Sequence, residues 1–172
     1  NGNIISFDIM VRNTGSCSGK EVVQIYCEAP QGKLGKPIRC LCGYEKTSEL
    51  SSGSTENIIL EVNIESLASY DDSGITGNKS CYVLEAGEYI FYVGTDVRNA
   101  QAVYKYKIDE TIVTEKAEQA FAPVIPFERM KPVYSDGKYS TEYENVPIQE
   151  IDENKRRLDN LPEEIRYTGD VG

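Results

Sequence analysis

Histidine is absent from this 172-residue chain. That excludes Ser-His-Asp and Cys-His catalysis, histidine metal centres and the Cys/His zinc motifs, each of which needs an imidazole as base or ligand. Clustered basic charge is also missing: 18 lysines and arginines stand against 28 acidic residues, for a formal charge of −10. Gripping a phosphate backbone or an anionic bilayer takes a cluster of Lys and Arg, so neither nucleic acid nor membrane is expected as a partner. Long apolar runs are lacking too. The longest are runs of the size of "NIIL", Asn57 to Leu60, far short of the roughly 20 residues that cross a bilayer. Five cysteines, an odd number at irregular spacing, form no disulfide framework and read as reduced thiols of a cytoplasmic protein. No secretory leader is visible, and the chain opens on Asn1 and enters a strand pattern within a few residues. This is expected of a segment cut from a longer polypeptide.

What the chain does contain is alternation with a period of two. In "IISFDIMVR" the residues Ile5, Phe7, Ile9 and Val11 share one face. The same pattern groups Val23, Ile25 and Cys27; Ile58, Leu60, Val62 and Ile64; Tyr89, Phe91 and Val93; and Ala102, Tyr104, Tyr106 and Ile108. With "PIRCLCGYEK" and "SCYVLE" there are about seven strands, because only an extended chain places alternate residues on one side. Turn chemistry separates them, in "NTGSCSG", "APQGKLGKP", "LSSGS", "DDSGITGN" and "EAGE", where Gly supplies positive φ and Asp, Asn and Ser bond nearby backbone. "IESLASYD" has room for one helical turn. No amphipathic helix is available to cover a half-polar sheet, so two sheets must cover each other. The expected fold is all-β: an antiparallel sandwich over residues 1–110.

Residues 111–172 differ in character. Pro123, Pro126, Pro132, Pro147 and Pro162 fall here, and a residue without a backbone donor suits neither a long helix nor a central strand. A mostly irregular arm is expected, with a short helix near "EIDENKRRLDNL". The apolar residues of "FAPVIPFERMKPVY" are too many for a free tail, so the arm should pack on the sandwich or on a neighbouring domain.

Four blocks in order, "VRNTGSCSGKEVVQIYCEAP", "KPIRCLCGYEKTSELSSGST", "LASYD" and "YVLEAGEYIFYVGTDVRNA", resemble the fibronectin type III-like domain of glycoside hydrolase family 3 enzymes. Tyr44 stands where the family usually has Phe, Tyr82 where it often has Trp, and Ala86 where it often has Pro. The family usually carries one more strand before the first one seen here. "FERMKP" and "LDNLPEEIRYTGDVG" are similar to the stretch that leads into a C-terminal barrel in members with a permuted domain order. The resemblance implies an immunoglobulin or fibronectin type III-like sandwich, the non-catalytic accessory domain of a bacterial-type β-glucosidase or related β-glycosidase. The parent enzyme would hydrolyse terminal β-linked glucose or xylose units, and the partners would be the catalytic domains of the same chain. The alternatives are a carbohydrate- or protein-binding β-sandwich module and a cell-surface adhesion domain, the latter disfavoured by the odd cysteine count.

Candidate chemistry within the segment is sparse. Ser135-Asp136 resembles the Ser-Asp of the family's nucleophile motif, but Gly137 replaces the Trp and Asp136 reads as a turn residue. Asp71 and Asp72 lack the ligand spacing of a calcium loop and read as a capped turn. Asn78 opens an Asn-Lys-Ser sequon, relevant only to a secreted chain. The 12 tyrosines mostly alternate into the inferred core or lie in the arm, and are taken as structural. Cys40 and Cys42 share one face of a strand. The family pattern turns Leu41 and Tyr44 inward through a bulge at Gly43, leaving both thiols on an outer face that the arm is expected to cover. No catalytic or metal residue is assigned, no cofactor is expected, and binding residues are left unassigned.

Overall fold

A computed structural model describes residues 3–117 and 123–148. The expected helix in "EIDENKRRLDNL" lies outside the described residues. The strands are β1 (Ile4–Arg12), β2 (Val22–Glu28), β3 (Cys40–Lys46), β4 (Thr55–Asn63), β5 (Ser69–Asp71), β6 (Cys81–Leu84), β7 (Gly87–Gly94), β8 (Gln101–Ile108), β9 (Ile112–Lys116), β10 (Glu128–Ser135) and β11 (Lys138–Asn145). Every pairing among them is antiparallel. The protein is the expected all-β sandwich. A β1-β4 pair faces the four-stranded sheet β3-β2-β7-β8, and a β5-β6-β9 sheet adjoins them.

The core follows from the alternation. Phe7 from β1, Val23, Ile25 and Cys27 from β2, Ile58, Leu60 and Val62 from β4, and Tyr89 and Phe91 from β7 form one buried cluster. Ile5, Ile9 and Val11 pack against its edge. Phe7 and Phe91 lie 5.5 Å apart between centroids, tilted at 46°, within the range favoured by aromatic pairs. β8 departs from strict alternation. The register shifts after Phe91, so that Tyr92 pairs with Ala102 and Ala102 leaves the inner face. Tyr104 stays exposed because β8 is the sheet's edge.

"IESLASYD" splits into a 3-10 turn over Ile64–Leu67 and the short strand β5. Asn63 starts the turn by accepting a hydrogen bond from Glu65 N at 3.0 Å, as N-cap residues do. Beyond residue 110 the chain is more regular than its prolines suggested. β9 pairs with β6, and β10 and β11 form a hairpin. Pro132 is tolerated in β10 because a two-stranded ribbon has only edge strands, so its missing donor can face away from the partner. The hairpin turns on Asp136 (φ 52°) and Gly137 (φ 74°), with Ser135 paired to Lys138. Two successive positive φ values mark the type I′ turn for which Asp-Gly is suited.

Candidate interface: an anchored hairpin and a cysteine-lined cleft

Two loops of the sandwich hold the hairpin. The first follows β5 and is built by Asp71, which is fully buried. Its carboxylate accepts hydrogen bonds from the backbone of Gly74, Ile75 and Thr76 at 2.6, 3.1 and 2.9 Å, and from the Thr76 hydroxyl at 2.5 Å. Burial pulls this carboxyl's pKa up, but the Thr76 hydroxyl and the three amides outweigh it and hold the group below its ordinary value. Asp71 is therefore the capping residue the sequence suggested. Its neighbour Asp72 does something else: it receives Arg129 of β10 in a two-pronged pair at 2.6 and 3.1 Å. Arg129 also bonds Glu144 of β11 at 2.7 Å, and Glu144 takes Lys131 at 3.1 Å.

The second loop spans residues 31–36. Glu85, buried at the end of β6, accepts the Lys33 amide at 2.6 Å and the Lys36 ammonium at 2.5 Å, and Lys36 also donates to Pro30 O at 3.0 Å. This charge pair shapes the loop, which then meets the hairpin. Lys131 donates to Lys33 O at 3.2 Å, and Gln31 donates to the Tyr139 hydroxyl at 3.3 Å. Gly35 has φ +68°, and a Cβ there would sit 2.8 Å from Pro132 O. Only glycine combines that conformation with so close a backbone approach. Among the described residues, β9 and the hairpin thus contact the sandwich. Asp72 was read from sequence only as part of a capped turn and Glu85 was not singled out, since no local pattern names a partner more than 45 residues away.

The cysteine reading needs correction. β3 is bulged between Leu41 and Gly43, as expected, with Tyr26 paired to Leu41 and Ile25 to Gly43. The sense of the bulge is opposite, however. Cys40 pairs with the core residue Cys27, and Cys42 donates to Ile25 O at 3.4 Å, so both cysteines lie on the inner side. Leu41 and Tyr44 point outward and are exposed. The extra residue of the bulge is Cys42, a small hydrophobe that fits against the core, whereas Tyr44 would need far more room there. Among the described residues, none of the arm lines the cleft beside the thiols. Cys40 is exposed beside an open cleft of about 350 Å³, lined by Cys27, Cys42, Lys36, Leu67 and Ala68 among others. Burial pushes Cys27 up to about 12 and Cys42 up to about 11, which makes both poor nucleophiles.

The remaining candidates are placed plainly. Asp136 is the exposed first residue of the hairpin turn. Asn78 follows the Asp71 loop and donates to Thr76 Oγ1 at 3.4 Å. Among the described residues no group of three or more Cys, Asp or Glu is arranged to hold a metal ion. The outer face of the four-stranded sheet offers no open strip of tyrosine: Tyr26 is buried, and the Arg39 guanidinium lies 3.6 Å above the Tyr92 ring.

Residues 21–97, which run from β2 to the end of β7, match the family model described as "Fibronectin type III-like domain". The chain carries a fibronectin type III-like domain. A β-glucosidase from Ruminococcus albus is 51% identical to the chain over 94% of its length. A solved β-glucosidase from Paenibacillus barengoltzii superposes with TM-score 0.86 at 45% identity, covering 93% of the chain. β-Glucosidase 3B from Thermotoga neapolitana superposes with TM-score 0.56 at 35% identity, covering 65% of the chain. The chain spans only 17%, 18% and 15% of those three proteins, less than a fifth of each. The fibronectin type III-like domain and its hairpin are thus similar to one part of much longer β-glucosidases.

Proposed function

We propose that this chain is the non-catalytic accessory domain of a family 3 β-glycosidase. Other domains of the same polypeptide would hydrolyse terminal β-linked glucose or xylose units. The observation that carries this reading is its likeness, over 94% of its length, to a β-glucosidase of which it makes up 17%. Four carboxylates that organise the loops and the hairpin are not free for a catalytic role. A retaining glycosidase needs two free carboxyl groups about 5 Å apart in a sugar-sized cleft, whereas Asp71, Asp72, Glu85 and Glu144 are all committed to loops and ion pairs. The division of labour we infer is a sandwich over residues 1–110, to which β9 adds a strand, and an arm over residues 111–172 that leads to a following domain. The partners are the catalytic domains of the same chain. We place the polypeptide in the cytoplasm on its odd number of cysteines, all five of them free.

The test is an assay of the 172-residue chain and of the full-length polypeptide on aryl β-glucosides. Turnover is expected from the full-length polypeptide alone. Hydrolysis by the 172-residue chain would refute the non-catalytic reading, and an inactive full-length polypeptide would refute the parentage.

A further inference from the structure

The hairpin leaves much of its apolar face uncovered, unlike an ordinary surface ribbon. A two-stranded hairpin on a protein surface normally lays its apolar face on the core and shows its polar face to water. Here Arg129 pairs with Asp72 of the sandwich and Lys131 donates to Lys33 O, while Glu144 bridges Arg129 and Lys131 within the hairpin. On the opposite side Met130 and Tyr143 are direct cross-strand partners, exposed at 68% and 65%, with Tyr134 following at 52%. In the segment leading into β10, Ile125 and Phe127 are exposed as well. Side chains of this size leave a contiguous apolar surface in water, and patches of that kind mark interaction sites.

We propose that this outer face of the hairpin is a docking surface for the remaining domains of the same polypeptide, a proposal that rests on the parentage argued above. The occupant follows from the chain's place in its relatives. More than four fifths of the R. albus and P. barengoltzii enzymes lie outside the part this chain resembles. The 93% coverage by the latter leaves out about 12 residues, fewer than the hairpin strands contain, so the likeness reaches into the hairpin. The chemistry of the patch also favours protein over sugar. Met130, Ile125 and Phe127 offer no hydrogen bonds to a ring of hydroxyls, and Tyr134 leans on Tyr139 at 47° instead of lying open and flat. Glu128 and Glu142 flank the patch and are exposed. With the chain's charge of −10, the facing surface should be apolar with a basic rim.

The experiment follows the Met130 thioether, which peroxide converts to the sulfoxide with release of water, at a rate set by access. Peptide mass spectrometry measures this rate in the 172-residue chain at low concentration, in the full-length polypeptide, and in a denatured sample of each. Oxidation of Met130 is expected near the denatured rate in the chain and about tenfold slower in the full-length polypeptide. Equal rates in both would overturn the proposal. So would protection that grows with the chain's own concentration, which means a second copy covers the face, or protection that appears only when a β-glucan is added. Tyr143→Glu should lower the melting temperature of the full-length polypeptide and leave that of the chain unchanged; an equal drop in both also overturns the proposal. The β-glucosidase assay runs alongside, so that absence of activity counts against the parentage, whereas the oxidation rates and the Tyr143→Glu melting temperatures decide the docking.

Discussion

Replacing Glu85 with Gln tests the scaffold that carries the hairpin. Side-chain volume is kept, but the Lys36 ammonium loses its counter-charge in a site where the two side chains are only 7% and 6% exposed. Leaving one member of a buried ion pair unpaired costs about 3–5 kcal/mol. Gln can still accept the Lys33 amide that Glu85 now accepts at 2.6 Å, which keeps the loss toward the low end. For a domain of this size about 3 kcal/mol corresponds to a fall of roughly 10 °C in melting temperature. Thermal and urea unfolding at pH 7 would measure it. The coupling should appear in a double-mutant cycle: Lys36→Met alone also destabilises, and the double variant is more stable than the sum of the single losses predicts by more than about 1 kcal/mol. The loop shaped by this pair is the one whose Gly35 meets Pro132 and whose Lys33 carbonyl holds Lys131. Faster amide exchange in β10 and β11 of Glu85→Gln should therefore accompany the loss. A melting temperature within about 2 °C of the parent, together with additive single losses, would refute the account of the pair as the loop's organiser.

Two further outcomes follow from the ionisable groups. The Asp71 carboxyl titrates below its ordinary value of 3.8 in the folded state, so its contribution is complete above about pH 4 and is lost as the pH falls through the folded value. Asp71→Asn should lower stability by about 1–3 kcal/mol at pH 7 and flatten the acid limb of the stability profile. An unchanged slope in urea melts between about pH 5 and pH 2 would count against it. For the thiols, Cys17 and Cys40 are exposed whereas Cys27 and Cys81 are buried and Cys42 is half-buried with its pKa at about 11. A disulfide reagent at pH 8 should titrate two thiols quickly and all five only after denaturation. Rapid reaction of Cys42 would contradict its inward placement.

Where the sequence was read correctly, the signal was local. Seven strands and most of the core were visible because alternation with period two is a property of neighbouring residues. The strand pattern also anticipated the bulge, but not its sense. Gly43 allowed a bulge with either set of residues inward, and the outcome turned on whether Tyr44 or Cys42 had to fit against Ile25 and Val62. The hairpin was missed although its signal was present. Asp136-Gly137 is a two-residue turn between runs that can pair, yet prolines on either side suggested an irregular arm. Because a free ribbon has no central strand, Pro132 did not stop it.

By itself, then, the sequence determined the all-β class, the faces of β1, β2, β4 and β7, most turns and the family likeness, since each depends on residues within one strand or loop. Tertiary structure alone decided that Asp72 holds Arg129, that Glu85 neutralises Lys36 in a buried site, and that the hairpin shows its apolar face to the outside. Those outcomes join residues 49 or more positions apart. Charge pairing and burial act through space, so which distant group stands opposite is known only once the chain has folded.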